Sequence, residues 1–143
     1  MTLETKIEPF VTTDNVSHLE LAFVNFDQWL LIVALRVYTN PHQRVEGMIH
    51  VIFENIVGFR VLDEGQMLNF PWKSLDSNDH FVHEVPHGGW MEIESKSNNI
   101  CLSGDPKEYV IITSNECVSV IAYDPPVPPA SINRSLAQQT KYD

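Results

Sequence analysis

A chain of 143 residues with 43% hydrophobic and 20% charged residues is long enough to bury one self-supporting core, and this composition excludes a disordered polymer. Its formal net charge of −10 is spread along both halves of the sequence, which opposes contact with phosphate backbones and anionic lipid. Nucleic-acid and membrane partners are therefore set aside, and a basic protein is the class of partner such a surface attracts.

Two cysteines, Cys101 and Cys117, are too few for a disulfide framework and lack metal-ligand spacing. Met1–Lys6 shows no basic start followed by an apolar run, and the longest apolar stretch, Trp29–Leu35, is far shorter than a membrane span. The expected location is a reducing cytoplasm.

In chain order, the first clear element is a hairpin. Leu19, Leu21 and Phe23 alternate along Leu19–Phe26, Asp27-Gln28 supplies the turn, and Trp29, Leu31, Val33, Leu35 and Val37 form one face of the return strand. The other face of Trp29–Tyr38 is also mostly apolar, which places it in the middle of a sheet covered on both faces or in a strand shared with a partner, so a homodimer is one expectation. After the turn residues Thr39–His42, Val45, Gly47, Ile49, Val51 and Phe53 alternate with polar partners in Arg44–Glu54. Ile56–Leu62 reads as a short strand in which Gly58 marks a bulge or a close approach. Gln66–Trp72 reads as the one helical turn, halted by Pro71, and residues 73–88 as a loop.

Trp90–Glu94 alternates over five residues and reads as a strand. Glu108–Thr113 and Cys117–Tyr123 flank Ser114-Asn115-Glu116 as a hairpin, with Cys117 acting as a small hydrophobe. Four prolines between Pro125 and Pro129 favour an extended exit. The expectation is an all-β, mainly antiparallel fold: a β-sandwich or strongly curved sheet with at most one short helix near residues 66–72. It comprises a single domain over 1–124 and a proline-rich tail over 125–143.

No nucleophile elbow, phosphate loop or dinucleotide fingerprint is present, so no catalytic residue is assigned and no cofactor is expected. His80, His83 and His87 with Glu84 lie within eight residues and are the alternative reading, a metal site or small enzyme centre. Pro86 argues against a helix that would gather them, and a strand would point His80 and His83 to opposite faces. The preferred site is a binding surface: Trp90 as an aromatic anchor beside Glu92 and Glu94, with Asp63 and Glu64 as an acidic rim.

The run Val51–Leu68 (VIFENIVGFRVLDEGQML) and the later Tyr109–Pro126 resemble small uncharacterised bacterial proteins, some of them similar to the immunity proteins that accompany secreted polymorphic toxins. The resemblance covers about half the chain, its motifs are structural, and it implies a cytoplasmic single-domain inhibitor that covers a toxin's active site. It carries no residue roles to positions in this sequence.

Overall fold

The computed structural model describes residues 6–12, 16–28, 30–39, 44–63, 80–97, 103–114 and 116–127. These form β1 (Lys6–Thr12), β2 (Val16–Asp27), β3 (Leu30–Thr39), β4 (Arg44–Glu54), β5 (Ile56–Asp63), β6 (His80–His87), helix α1 (Trp90–Lys96), β7 (Lys107–Ile112) and β8 (Glu116–Ala122). Every pairing is antiparallel. One sheet has three strands in the order β2-β3-β4, the other five in the order β1-β6-β7-β8-β5. The fold is all-β with one short helix among the described residues.

The alternation read from β3 and β4 fixes the inner face of the three-stranded sheet. Leu31 pairs with Phe53, Val33 with Val51 and Leu35 with Ile49, and all six are fully buried. They pack against Phe81, Tyr109, Ile111, Val118 and Val120 of the larger sheet in one apolar cluster. The Phe53 and Tyr109 rings meet across the layer with centroids 5.8 Å apart, the tilted arrangement aromatic pairs favour. At the rim, the Ser114 N–H of the β7–β8 connection donates to the Leu19 carbonyl of β2 at 2.8 Å, tying the sheets together.

β2 departs from the simple alternation. Its register shifts between Leu21 and Phe23, so Leu19 is buried and Leu21 packs on the core while Phe23 turns outward, 48% exposed, beside His50. A bulge adds one residue and so inverts the faces that follow. Val24 takes the inward place that period-2 reading gives to Phe23. β3 is the central strand of its sheet, with Leu31, Val33, Leu35 and Val37 fully buried on one face and Leu30, Ile32 and Tyr38 partly buried on the other.

One residue separates β4 from β5. Asn55 adopts a left-handed backbone (φ 52°), which asparagine tolerates well, and its carbonyl accepts the Tyr123 N–H at 3.1 Å. That turn moves the chain from the edge of one sheet to the edge of the other. The fold is also not finished at Asp124, because Pro126 is buried and the Val127 N–H donates to the Ile52 carbonyl at 2.8 Å.

Two sequence expectations change, and a third is not reached. Trp90–Glu94 is helical, not a strand; five residues of alternation cannot separate the two periods, and the Gly88-Gly89 pair ends β6 just before it. The loop expected over 73–88 contains β6, whose Pro86 lies just beyond the last β6–β7 pair, Val85 with Glu108, where it breaks no ladder bond to β7. The described helix is at 90–96, and the turn expected over 66–72 lies outside the described residues.

Because inner and outer rows alternate, neighbouring aromatics in the same sheet should differ sharply in their contribution. Phe53→Ala should cost about 3–5 kcal/mol in urea denaturation, and Phe23→Ala within about 1 kcal/mol of zero. Similar losses would contradict the assigned faces.

Candidate functional site

The outer face of the five-stranded sheet is built row by row. Gly58, Ile121, Glu108 and Val85 are successive cross-strand partners, as are Arg60, Ser119, Val110 and His83. Leu62, Val85, Val110, Ile112 and Cys117 form a second apolar cluster on this side, and Gly89, just before α1, packs at its Val85 end. Cys117 is a buried thiol, as its strand context implies.

Glu108 is the unusual member, a carboxylate 1% exposed within an otherwise apolar strand. Its Oε1 accepts the Met91 N–H at 2.7 Å, and the Trp90 N–H also bonds the carboxylate. These are two of the N–H groups that a helix start leaves unsatisfied, so a residue from β7 caps α1 through space. Oε2 has no hydrogen-bond partner among the described residues. Burial pushes the Glu108 carboxyl above its usual range, against the two backbone bonds and the nearby Arg60 charge, which pull it down.

Gly89 makes this contact fit. A Cβ there would fall 2.6 and 2.8 Å from the two Glu108 carboxylate oxygens and 2.7 Å from Val85 Cγ1, too close for any side chain. The requirement is space, since its φ of −96° is open to every residue. On the other side of Gly89, Glu92 reaches back so that its Oε2 accepts the Gly88 N–H at 2.6 Å, while its Oε1 meets Lys96 at 3.1 Å. The Gly88 bond, then the Lys96 bond, hold the Glu92 carboxyl below its usual range.

Trp90 turns toward the sheet. Its ring edge stands 3.7 Å from where a Cβ on Gly58 would lie, which leaves room for one, and the Arg60 guanidinium sits 4.8 Å from the ring centroid, a cation–π contact. Of the two readings of Gly58, the register shift next to it fits the bulge. Burial lowers the Arg60 pKa, opposed first by the charge of Glu108 and further by Cys117 and Glu94.

The helix therefore redistributes the proposed surface. Glu92 and Glu94, two apart, point to different sides of α1 instead of sharing a strand face. Ile93 stands between them, 43% exposed. Asp63 is exposed at the far end of β5, five residues or about 17 Å from Gly58, and is the cross-strand partner of Glu116. Glu64 lies outside the described residues. Beside α1 a cleft of about 410 Å³ is lined by Glu84, Met91, Asp105 and Lys107 among others.

The histidine segment is extended in β6. His83 is buried and His87 exposed, four residues or about 13 Å apart, while Glu84 pairs with Lys107 at 3.4 Å. His80 begins the strand opposite Thr12, and its side chain lies outside the described residues. Among the described residues no three His, Cys, Asp or Glu side chains are grouped to hold a metal ion. Ser119 and His83 are separated by Val110, roughly 9.5 Å at strand spacing, beyond the reach of a proton-transfer pair.

Sequence reasoning missed Glu108, Gly89 and Arg60. The available signals were a lone acid opening an apolar strand and a glycine pair before a tryptophan. Compared with known proteins, the chain matches no family model, no curated protein and no solved structure. No helix among the described residues is long and apolar enough to cross a membrane.

The buried carboxyl of Glu108 sets a pH signature. With its folded pKa above the unfolded value, the folded state holds this proton more tightly, so stability falls as pH rises from the usual carboxylate range through the raised value. Glu108→Gln removes that dependence. In urea titrations from about pH 4 to about pH 7 the variant should gain on the wild type as pH rises. A constant difference would contradict the assignment.

Proposed function

We propose that this chain is a non-enzymatic protein-binding module of the cytoplasm, an immunity-like inhibitor that lies over a basic toxin or a similarly cationic protein. The observation that carries the reading is Ile93, 43% exposed on α1 between Glu92 and Glu94, on a helix anchored from beneath by Glu108 and Trp90. An apolar centre with a charged rim is the make-up of a recognition patch, and a helix already fixed in place loses little freedom on binding. The net charge of −10 adds long-range attraction to a basic partner. Val51–Leu68 and Tyr109–Pro126 resemble small uncharacterised bacterial proteins, some of them similar to immunity proteins, and it is from this that the immunity-like part of the proposal comes.

The surface differs from the one read in sequence. Ile93 replaces Trp90 as the exposed apolar centre, Glu92 and Glu94 flank it, and Glu84 and Asp105 of the adjacent cleft extend the acidic rim in place of Asp63. Among the described residues nothing groups His83, His87 and Glu84 into a metal site. The second reading, a homo-oligomer paired through the apolar outer row of β3, keeps its motive in the partly buried Leu30, Ile32 and Tyr38.

Capture from a lysate of the source cells with immobilised wild type and Ile93→Arg, at low and high salt, tests the reading. The expected result is a basic protein retained by wild type at low salt, released by salt, and bound at least about tenfold more weakly by the variant. A bound protein indifferent to both changes would refute the proposal.

A further inference from the structure

A second concave site lies at the opposite kind of position, where the β2–β3 turn, the β4–β5 junction and the end of β8 meet. Gln28, Asn55, Ile56 and Tyr123 line a cleft of about 390 Å³. Its walls are held by short hydrogen bonds. Tyr123 Oη donates to the Ser103 carbonyl at 2.6 Å, and a Cβ on Gly104 would lie 3.3 Å from the Tyr123 ring, so the glycine backs it closely. Asn55 Nδ2 donates to Asp124 Oδ2 at 2.6 Å, which leaves the Asn55 amide oxygen as an acceptor. Gln28, like Asn55, has a left-handed backbone, with φ of 40°.

Exposed aromatic surface gathers at this end. The Tyr123 ring is 42% exposed, and Phe26, which precedes the turn, is 50% exposed with its ring 5.7 Å from that of Phe59. Each polar wall residue has an exposed carboxylate as a chain neighbour: Asp27 beside Gln28, Glu54 beside Asn55 and Asp124 beside Tyr123. The cleft thus offers an aromatic face and amide acceptors in an acidic setting.

We propose that this cleft is a socket for an arginine side chain of a basic protein partner. The inference rests on the reading of the chain as a binder of a cationic protein and names the residue type that would anchor it. A guanidinium is planar, stacks on an aromatic face and carries forked N–H donors, which match the Tyr123 ring and the amide oxygens of Gln28 and Asn55, with the Asp124 carboxylate behind Asn55 adding negative charge. A lysine ammonium meets the charge but neither the stacking nor the fork. The chain's net charge of −10 favours the cation over a neutral ligand of similar shape.

The test is amide-resolved NMR titration with a blocked Gly-Arg-Gly peptide and its neutral counterpart, blocked Gly-citrulline-Gly. The expected result is a set of shifts centred on Gln28, Asn55, Ile56 and Tyr123, with the citrulline peptide at least about tenfold weaker. Tyr123→Leu should abolish these shifts, whereas Tyr123→Phe, which keeps the ring, should retain most of them; Asp124→Asn should weaken binding without disturbing the fold. Shifts centred on Ile93 and Glu94 would overturn the socket while leaving the cationic-partner reading intact. Equal binding of both peptides at the cleft would overturn the arginine assignment, and no shift with either peptide would overturn the site.

Discussion

A carboxylate within an apolar strand must be satisfied by something nearby, and Glu108 is satisfied by the first N–H groups of α1. That contact has a spatial condition, because the approach of the helix start to Glu108 leaves no room for a Cβ at residue 89. Once the start of α1 is pinned there, Trp90 falls over Gly58 and Arg60, and Ile93 is left facing outward. The outer surface of the larger sheet follows from one buried acid, one missing side chain and one aromatic ring. Leaving a charge so far from water is costly, and Oε2 makes no bond among the described residues, so the arrangement trades stability for a fixed helix position.

The other half of the molecule is organised by apolar pairing alone. The inner rows of β3 and β4 meet the five-stranded sheet over an apolar cluster, and the β2 register shift between Leu21 and Phe23 turns its aromatics away from it. Phe23 is turned out, and Phe26 reaches the edge where it meets Phe59. Asn55 then transfers the chain between sheets and shapes one wall of the cleft at that end.

Much of this fold was legible in the sequence because its long strands have one buried face. β3 and β4 alternate without interruption, and the Asp27-Gln28 turn and the β7–β8 hairpin carry recognisable turn chemistry. β6 was not legible: its histidines, Glu84 and Pro86 look like loop residues, although Phe81, Val82, His83 and Val85 are all buried in the fold. α1 was misread because five residues of alternation fit both periods, and what selects the helix is Glu108, some seventeen positions away in the chain. The site suffered for the same reason. A strand reading puts Trp90 and Glu92 on one outward face, whereas in the fold they pack on Arg60 and bond the Gly88 N–H, and Ile93 takes the exposed position.

In the proposed function, a helix held at its base by a buried acid and presenting an aliphatic residue between carboxylates would meet a basic partner with little ordering cost. All of this depends on Glu108 holding α1 in place. Amide hydrogen exchange of Glu108→Ala against wild type tests that directly, read at Met91, Ile93 and Ser97 and compared with Val33 and Val51 in the same sample. The account predicts that protection in α1 drops roughly 10- to 100-fold, the worth of a hydrogen bond to a charged group, with β3 and β4 little changed. Equal protection of α1 in both proteins would contradict it.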